Sequence, residues 1–187
     1  ILEDKDGYLW VGTWGHGLQK FDQQKRLVHK FENDPSDPTS LFDNGINFIF
    51  QEQEDTLWIC TNRGIGVFDV RTQKFSKFHP TEMFASLDTS RVMHILNDNG
   101  LKWISTRGNG LFRYDANSND VKHYIPDPGD PGSIGTKDLL KIHKDKSGTL
   151  WFGSWEGGLN RLDPGTDQFR HYLGGYNILS FYEDKEL

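Results

Sequence analysis

The sequence predicts an all-β protein built as a β-propeller, with about four four-stranded antiparallel blades and one extra strand. Three observations carry that expectation. Trp10, Trp58, Trp103 and Trp151 lie 48, 45 and 48 residues apart, each in a similar phrase: LWVGT, LWICT, KWIST and LWFGS. Each period holds four short apolar–polar segments separated by turn residues, and none carries a useful stretch of 3.6-residue periodicity. Four antiparallel strands in roughly 45 residues are the unit of a propeller blade.

The elements repeat in a fixed order. The first segment of each period is apolar and is centred near Ile1, Ile49, Ile95 and Ile142. A turn follows, written DKDG at 4–7, EQED at 52–55, DNG at 98–100 and DKSG at 145–148. The Trp phrase is the second strand. A Gly-rich turn then opens the third: GLQKFD at 17–22, GIGVFD at 64–69, GLFRYD at 110–115 and GLNRLD at 158–163. The fourth reads VHKF at 28–31, FSKF at 75–78, VKHY at 121–124 and FRHY at 169–172. Blade boundaries are therefore expected at 1–45, 46–91, 92–138 and 139–177, within one propeller fragment spanning 1–187. A blade has two apolar faces and buries them against its neighbours, which assigns the four repeated Trp to the core.

Residues 178–184, ILSFYED, match ILED at the start, so a fifth copy of the first strand is expected over 178–187. One strand beyond sixteen overfills a closed four-bladed ring. The expected object is an arc of a larger propeller, with edges that call for a homo-oligomer or the rest of the parent ring. The chain opens directly inside a strand-like segment, as expected of a mature region or a piece of a longer chain.

The formal net charge of −6, with acidic residues scattered, gives no basic surface for nucleic acid or an anionic membrane. No apolar stretch reaches membrane-spanning length, and no signal peptide is legible. The single Cys60 forbids an internal disulfide and suits a small core residue.

The phrase D-x-x-G-x-L-W-x-G-T followed by G-L-x-x-F/Y-D resembles the two-component regulator propeller repeat. So do the connectors Asp34-Pro35-Ser36-Asp37-Pro38-Thr39-Ser40-Leu41 and Asp127-Pro128-Gly129-Asp130-Pro131-Gly132-Ser133-Ile134. The resemblance covers the whole chain. It implies seven-bladed propellers, a periplasmic sensor of a hybrid histidine kinase, and oligosaccharide ligands. Any kinase activity would then lie outside this chain, which is expected to be a binding module without a cofactor. Blade two departs from the pattern, with Glu54-Asp55 in its turn and Cys60 in place of Gly12. The connector at 173–177, LGGYN, lacks the paired Asp-Pro element.

In a propeller, the loop between second and third strands shares a face with the blade-to-blade connector, where ligands gather. Those loops carry Trp14 and His16, Asn62 and Arg63, Arg107 and Asn109, and Trp155 and Glu156. Flat aromatic rings suit sugar faces, and the polar groups suit hydroxyls. These eight residues are the ligand-binding candidates, weighed against plain solvated turns. The paired Asp-Pro connectors read first as rigid turns.

Other chemistry fares worse. G-x-G at 15–17 and 108–110 leads into strands, not helices, which excludes a phosphate cradle. Asp4 and Asp6 lack the further oxygen series of a calcium loop. His29, His123 and His171 fall in outermost strands of different blades, so no shared metal is expected; His94 and His143, in innermost strands, read as structural. No triad or paired-carboxylate constellation is legible. The competing functions are an oligosaccharide sensor, a protein-interaction or dimerisation platform, and, well behind these, a propeller lyase or hydrolase.

Overall fold

The computed structural model describes residues 1–184 of the chain. It contains four separate four-stranded antiparallel sheets, each with its strands in chain order. The first holds β1 (Leu2–Glu3), β2 (Leu9–Gly12), β3 (Leu18–Phe21) and β4 (Leu27–Phe31). The second holds β5 (Ile46–Gln53), β6 (Thr56–Thr61), β7 (Gly64–Asp69) and β8 (Lys74–Lys77). The third holds β9 (Arg91–Asp98), β10 (Leu101–Arg107), β11 (Leu111–Asp115) and β12 (Asp120–Tyr124). The fourth holds β13 (Leu139–Lys144), β14 (Leu150–Ser154), β15 (Leu159–Asp163) and β16 (Gln168–Tyr172).

The chain divides into two compact units, residues 1–92 and 93–187. In the first, Trp10, Leu18, Phe31, Leu41 and Ile46 meet Ile49, Leu57, Ile59, Phe68 and Phe75 in one buried cluster. In the second, Trp103, Leu111, Tyr124, Ile134 and Leu139 meet Ile142, Leu150, Phe152, Leu162 and Phe169. The two sets correspond position by position along the repeat. Each core is thus the same solution, in which neither blade can bury its apolar face alone. The Trp of the leading blade packs against an aromatic ring of the following one: Trp10 on Phe68 at 5.5 Å and Trp103 on Phe152 at 5.5 Å.

Three repeated Trp are core, as expected; Trp151 is only half-buried. Its ring faces Tyr172 of its own blade at 6.0 Å, with the Arg161 guanidinium 6.0 Å from its centre. Trp58 is covered by an element that the repeat does not announce. A 3₁₀ helix over Glu82–Thr89 follows β8, and Phe78 bridges Trp58 (4.1 Å) to the fully buried Phe84 (5.2 Å).

The second difference concerns residues 178–184, which carry no strand pairing among the described residues. A blade's first strand is held by its second, and among the described residues no second strand faces this segment; residues 185–187 of the expected strand lie outside the described residues. Its start nevertheless sits as a first strand does. Ile178 donates its N–H to Ser154 O at 2.9 Å, as Ile46 does to Thr13 O. A Cβ on Gly153 would meet Ile178, and one on Gly12 would meet Ile46, at 2.8 and 2.3 Å.

Candidate functional site

The connectors decide which loop residues meet. In Asp34–Leu41 each Asp caps its own turn: Asp34 accepts from Ser36 N–H (2.9 Å) and Asp37 from Thr39 N–H (2.8 Å). Asp127 and Asp130 do the same for Gly129 (2.8 Å) and Gly132 (2.9 Å). Buried Leu41 and Ile134 anchor the two connectors in their cores. The connector ends then zip onto the loop of the preceding blade. Asn44 O accepts from Gly15 and Gly17 N–H (3.0 and 3.2 Å), and Lys137 O accepts from Gly108 and Gly110 N–H (both 3.0 Å).

In the first unit this arrangement opens a cleft of about 480 Å³. Trp14, Gly15, Asn62 and Arg63 line it, together with Asn33, Phe42, Asp43, Asn44, Gly45 and Arg91. Trp14 bridges to Gly45 through the backbone, yet its side chain is 85% exposed. Asn62 donates its N–H to Gly45 O at 3.2 Å, and its Oδ1 accepts from Asn47 Nδ2 at 3.3 Å. Gly45 leaves room for the Asn62 amide, since a Cβ there would stand 2.0 Å from Asn62 Nδ2 and displace that side chain. Asn33 and Asn44 hold the wall: Asn44 Oδ1 accepts from Asn33 N–H, and Asn33 Nδ2 donates to Leu41 O, both at 2.7 Å. Asp43 accepts from Gly45 N–H at 2.6 Å.

The second unit fills the equivalent seam with its own side chains. Arg107 bridges to Asp138 as Trp14 does to Gly45, and Trp155 donates its N–H to Asp138 O at 2.8 Å. The Arg107 guanidinium lies 4.7 Å from the Trp155 ring centre, and its Nε is 3.9 Å from Asp138 Oδ1. Trp155 is correspondingly only 37% exposed. A cation over an indole with a carboxylate beside it is a self-satisfied cluster.

The eight sequence candidates therefore separate. Trp14, Asn62 and Arg63 come together in one unit; Arg107 and Trp155 come together in the other. His16 is exposed and outside the cleft, its N–H on Thr13 Oγ1 at 3.1 Å. Asn109 uses its carbonyl to hold the His123 ring at 2.7 Å. Glu156 is a turn residue at φ +60°, its N–H on Asn177 Oδ1 at 2.6 Å. Arg91 and Asp138 escaped notice, although a signal existed. Gly45, Arg91, Asp138 and Asn177 occupy one repeat position, just before an apolar residue that begins a blade. A position holding Gly, Arg, Asp and Asn beside a constant apolar neighbour is free of the core's demands.

His123 stacks on Phe112 at 4.1 Å, and His171 Nε2 lies 2.8 Å from Ser133 O, so both outer-strand rings brace backbone. Burial, with Lys141 nearby, holds His94 well down at about 3, so it is neutral at ordinary pH. Among the described residues no three His, Cys, Asp or Glu side chains group so as to hold a metal ion.

Residues 1–15 match the family model of the two component regulator propeller. That match spans the opening of the first blade. Over 164 residues the chain is 28% identical to Histidine kinase P4 of Formosa agariphila, spanning 83% of this chain and 11% of that protein. Its fold is similar to the extracellular domain of BT3049 of B. thetaiotaomicron, described as a hybrid two component system. There the TM-score is 0.73 at 24% identity, over 91% of this chain and 22% of that one. It is also similar to the WD40 β-propeller domain of Doa1, with a TM-score of 0.60 at 13% identity, over 91% and 51% of the two chains. The fold is that of β-propeller blades. The chain spans 11% of the length of that histidine kinase and 22% of the BT3049 extracellular-domain chain.

Proposed function

We propose that this chain is part of the ligand-sensing region of a hybrid two-component sensor, lies in the periplasm, and binds an oligosaccharide without transforming it. The regulator propeller repeat and the hybrid-system likenesses support the sensor context. The cleft of the first unit carries the ligand reading: a Trp ring 85% exposed beside Asn62 and Arg63 on a loop face stitched by backbone hydrogen bonds. The exposed indole offers a flat apolar surface on a loop whose backbone is bridged to Gly45, and the amides meet hydroxyls.

The test is calorimetric titration of the chain with neutral and acidic oligosaccharides, repeated on Trp14→Ala. The expected result is binding that weakens roughly tenfold without Trp14. Binding that is indifferent to Trp14, or absent across the panel, overturns the reading.

A second reading is favoured by one observation. Leu173, Tyr176, Leu179 and Tyr182 are 58%, 66%, 59% and 89% exposed, a run of large apolar side chains suited to a protein partner, here a second copy of this chain.

A further inference from the structure

The cleft of the first unit is lined by two guanidinium groups, Arg63 and Arg91, both on exposed residues. Neither has an ion-pair partner within 4.0 Å among the described residues, although carboxylates outnumber cations in the chain, with 27 Asp and Glu against 21 Lys and Arg. One carboxylate, Asp43, stands among the residues that line the cleft, and it accepts Gly45 N–H. Two cations against one carboxylate leave the cleft positive within a protein of net charge −6.

The second unit shows what this seam accepts. There the chain supplies its own carboxylate, Asp138, next to Arg107 and the Trp155 ring. In the first unit the Asp138 position is Gly45, which has no side chain to offer, while the indole and the guanidinium groups remain. An arginine fork matches an oxyanion bidentately, and an indole matches an apolar pyranose face.

We propose that this cleft selects an anionic saccharide, whose carboxylate or sulfate ester is held by Arg63 and Arg91 while its ring stacks on Trp14. The inference rests on the oligosaccharide reading and adds the charge of the ligand. Approach against the overall negative field makes the local positive cleft the selective feature.

The experiment titrates the chain with galacturonate, glucuronate and guluronate trisaccharides, their neutral methyl esters, and a galactose trisaccharide with and without 6-sulfation. The expected result is that acid forms bind at least about tenfold more tightly than their neutral counterparts, with an advantage that shrinks as salt rises. Arg63→Gln and Arg91→Gln should each remove most of that advantage, and both should keep the thermal transition of the parent, since their side chains are exposed. Preference among the acids tells carboxylate from sulfate. Equal binding of acid and neutral forms overturns the anionic inference and leaves the oligosaccharide reading standing. Acid preference untouched by both substitutions places the anion elsewhere and overturns it too. Binding of neither form up to about 10 mM overturns both.

Discussion

A single carboxylate performs two tasks in the Asp-led turns. Asp4 Oδ1 accepts from Asp6 and Tyr8 N–H at 3.0 and 2.9 Å, while Oδ2 takes the Trp10 indole N–H at 2.8 Å. Asp145 repeats this with Thr149 N–H at 2.9 Å and Trp151 Nε1 at 2.7 Å. The third blade has Asn97 at that position. Its Oδ1 accepts from Gly100 N–H and Lys102 Nζ, and the buried Trp103 Nε1 has no hydrogen-bond partner among the described residues. Asn97→Asp, which offers acceptors on both arms, is expected to raise stability by about 1 kcal/mol in urea unfolding. At Asp145, the hydroxyl of Ser147 and the indole of Trp151 hold the carboxyl down at about 2. Its folded value lies below the unfolded value of about 3.9, so its contribution is complete above that pH and is lost as pH falls toward 2. Asp145→Asn should cost about 1 kcal/mol at pH 7 and lose less on acidification than the parent, measured by urea unfolding across pH 2–7. The tryptophans were legible from spacing. The missing partner of Trp103 shows only when the turn geometry is compared across blades.

The strand-opening glycines set the blade's shape. Gly17 has φ +62°, and a Cβ there would stand 2.0 Å from Phe31 O, the carbonyl that ends β4. In the second blade the corresponding Gly64 also has positive φ, but its nearest atom would be 3.3 Å away. Gly17→Ala is expected to cost more than the roughly 1–3 kcal/mol of left-handed strain alone, and Gly64→Ala about that strain only. Comparing the two variants by chemical denaturation checks the difference. Beside each glycine a constant hydroxyl closes the loop: Thr13, Thr61, Thr106 and Ser154 donate to Gly17, Gly64, Gly110 and Gly158 O at 2.9, 3.1, 2.7 and 2.7 Å. The next residue in each blade is Trp14, Asn62, Arg107 or Trp155. Fixed backbone and varied side chain stand one position apart, which is how these loops were legible as candidates. The 3₁₀ helix over Glu82–Thr89 was not: its Phe84 and Leu87 are buried without a repeat to announce them.

At the scale of the whole molecule, the exposed run from Leu173 to Tyr182 is the feature most open to association. Light scattering coupled to size exclusion is expected to give a molar mass above the 21.5 kDa of one chain, and Leu179→Asp with Tyr182→Asp to return it to one. A parent chain already at one protomer's mass would remove the protein-docking reading and leave the cleft as the binding feature.

Sequence alone determined the blades, because a four-strand period with a Trp in each second strand can bury its apolar faces only by stacking. It likewise placed Trp14, Asn62, Arg63, Arg107 and Trp155 on loops, since turn chemistry is local. Tertiary structure decided which of them meet. The connectors Asp34–Leu41 and Asp127–Ile134 resemble each other closely, yet they deliver Gly45 to one seam and Asp138 to the other. An open cleft and a filled one result from that single side chain and the loop residues facing it. Such pairing depends on contacts between residues some thirty to fifty positions apart, to which a local pattern has no access.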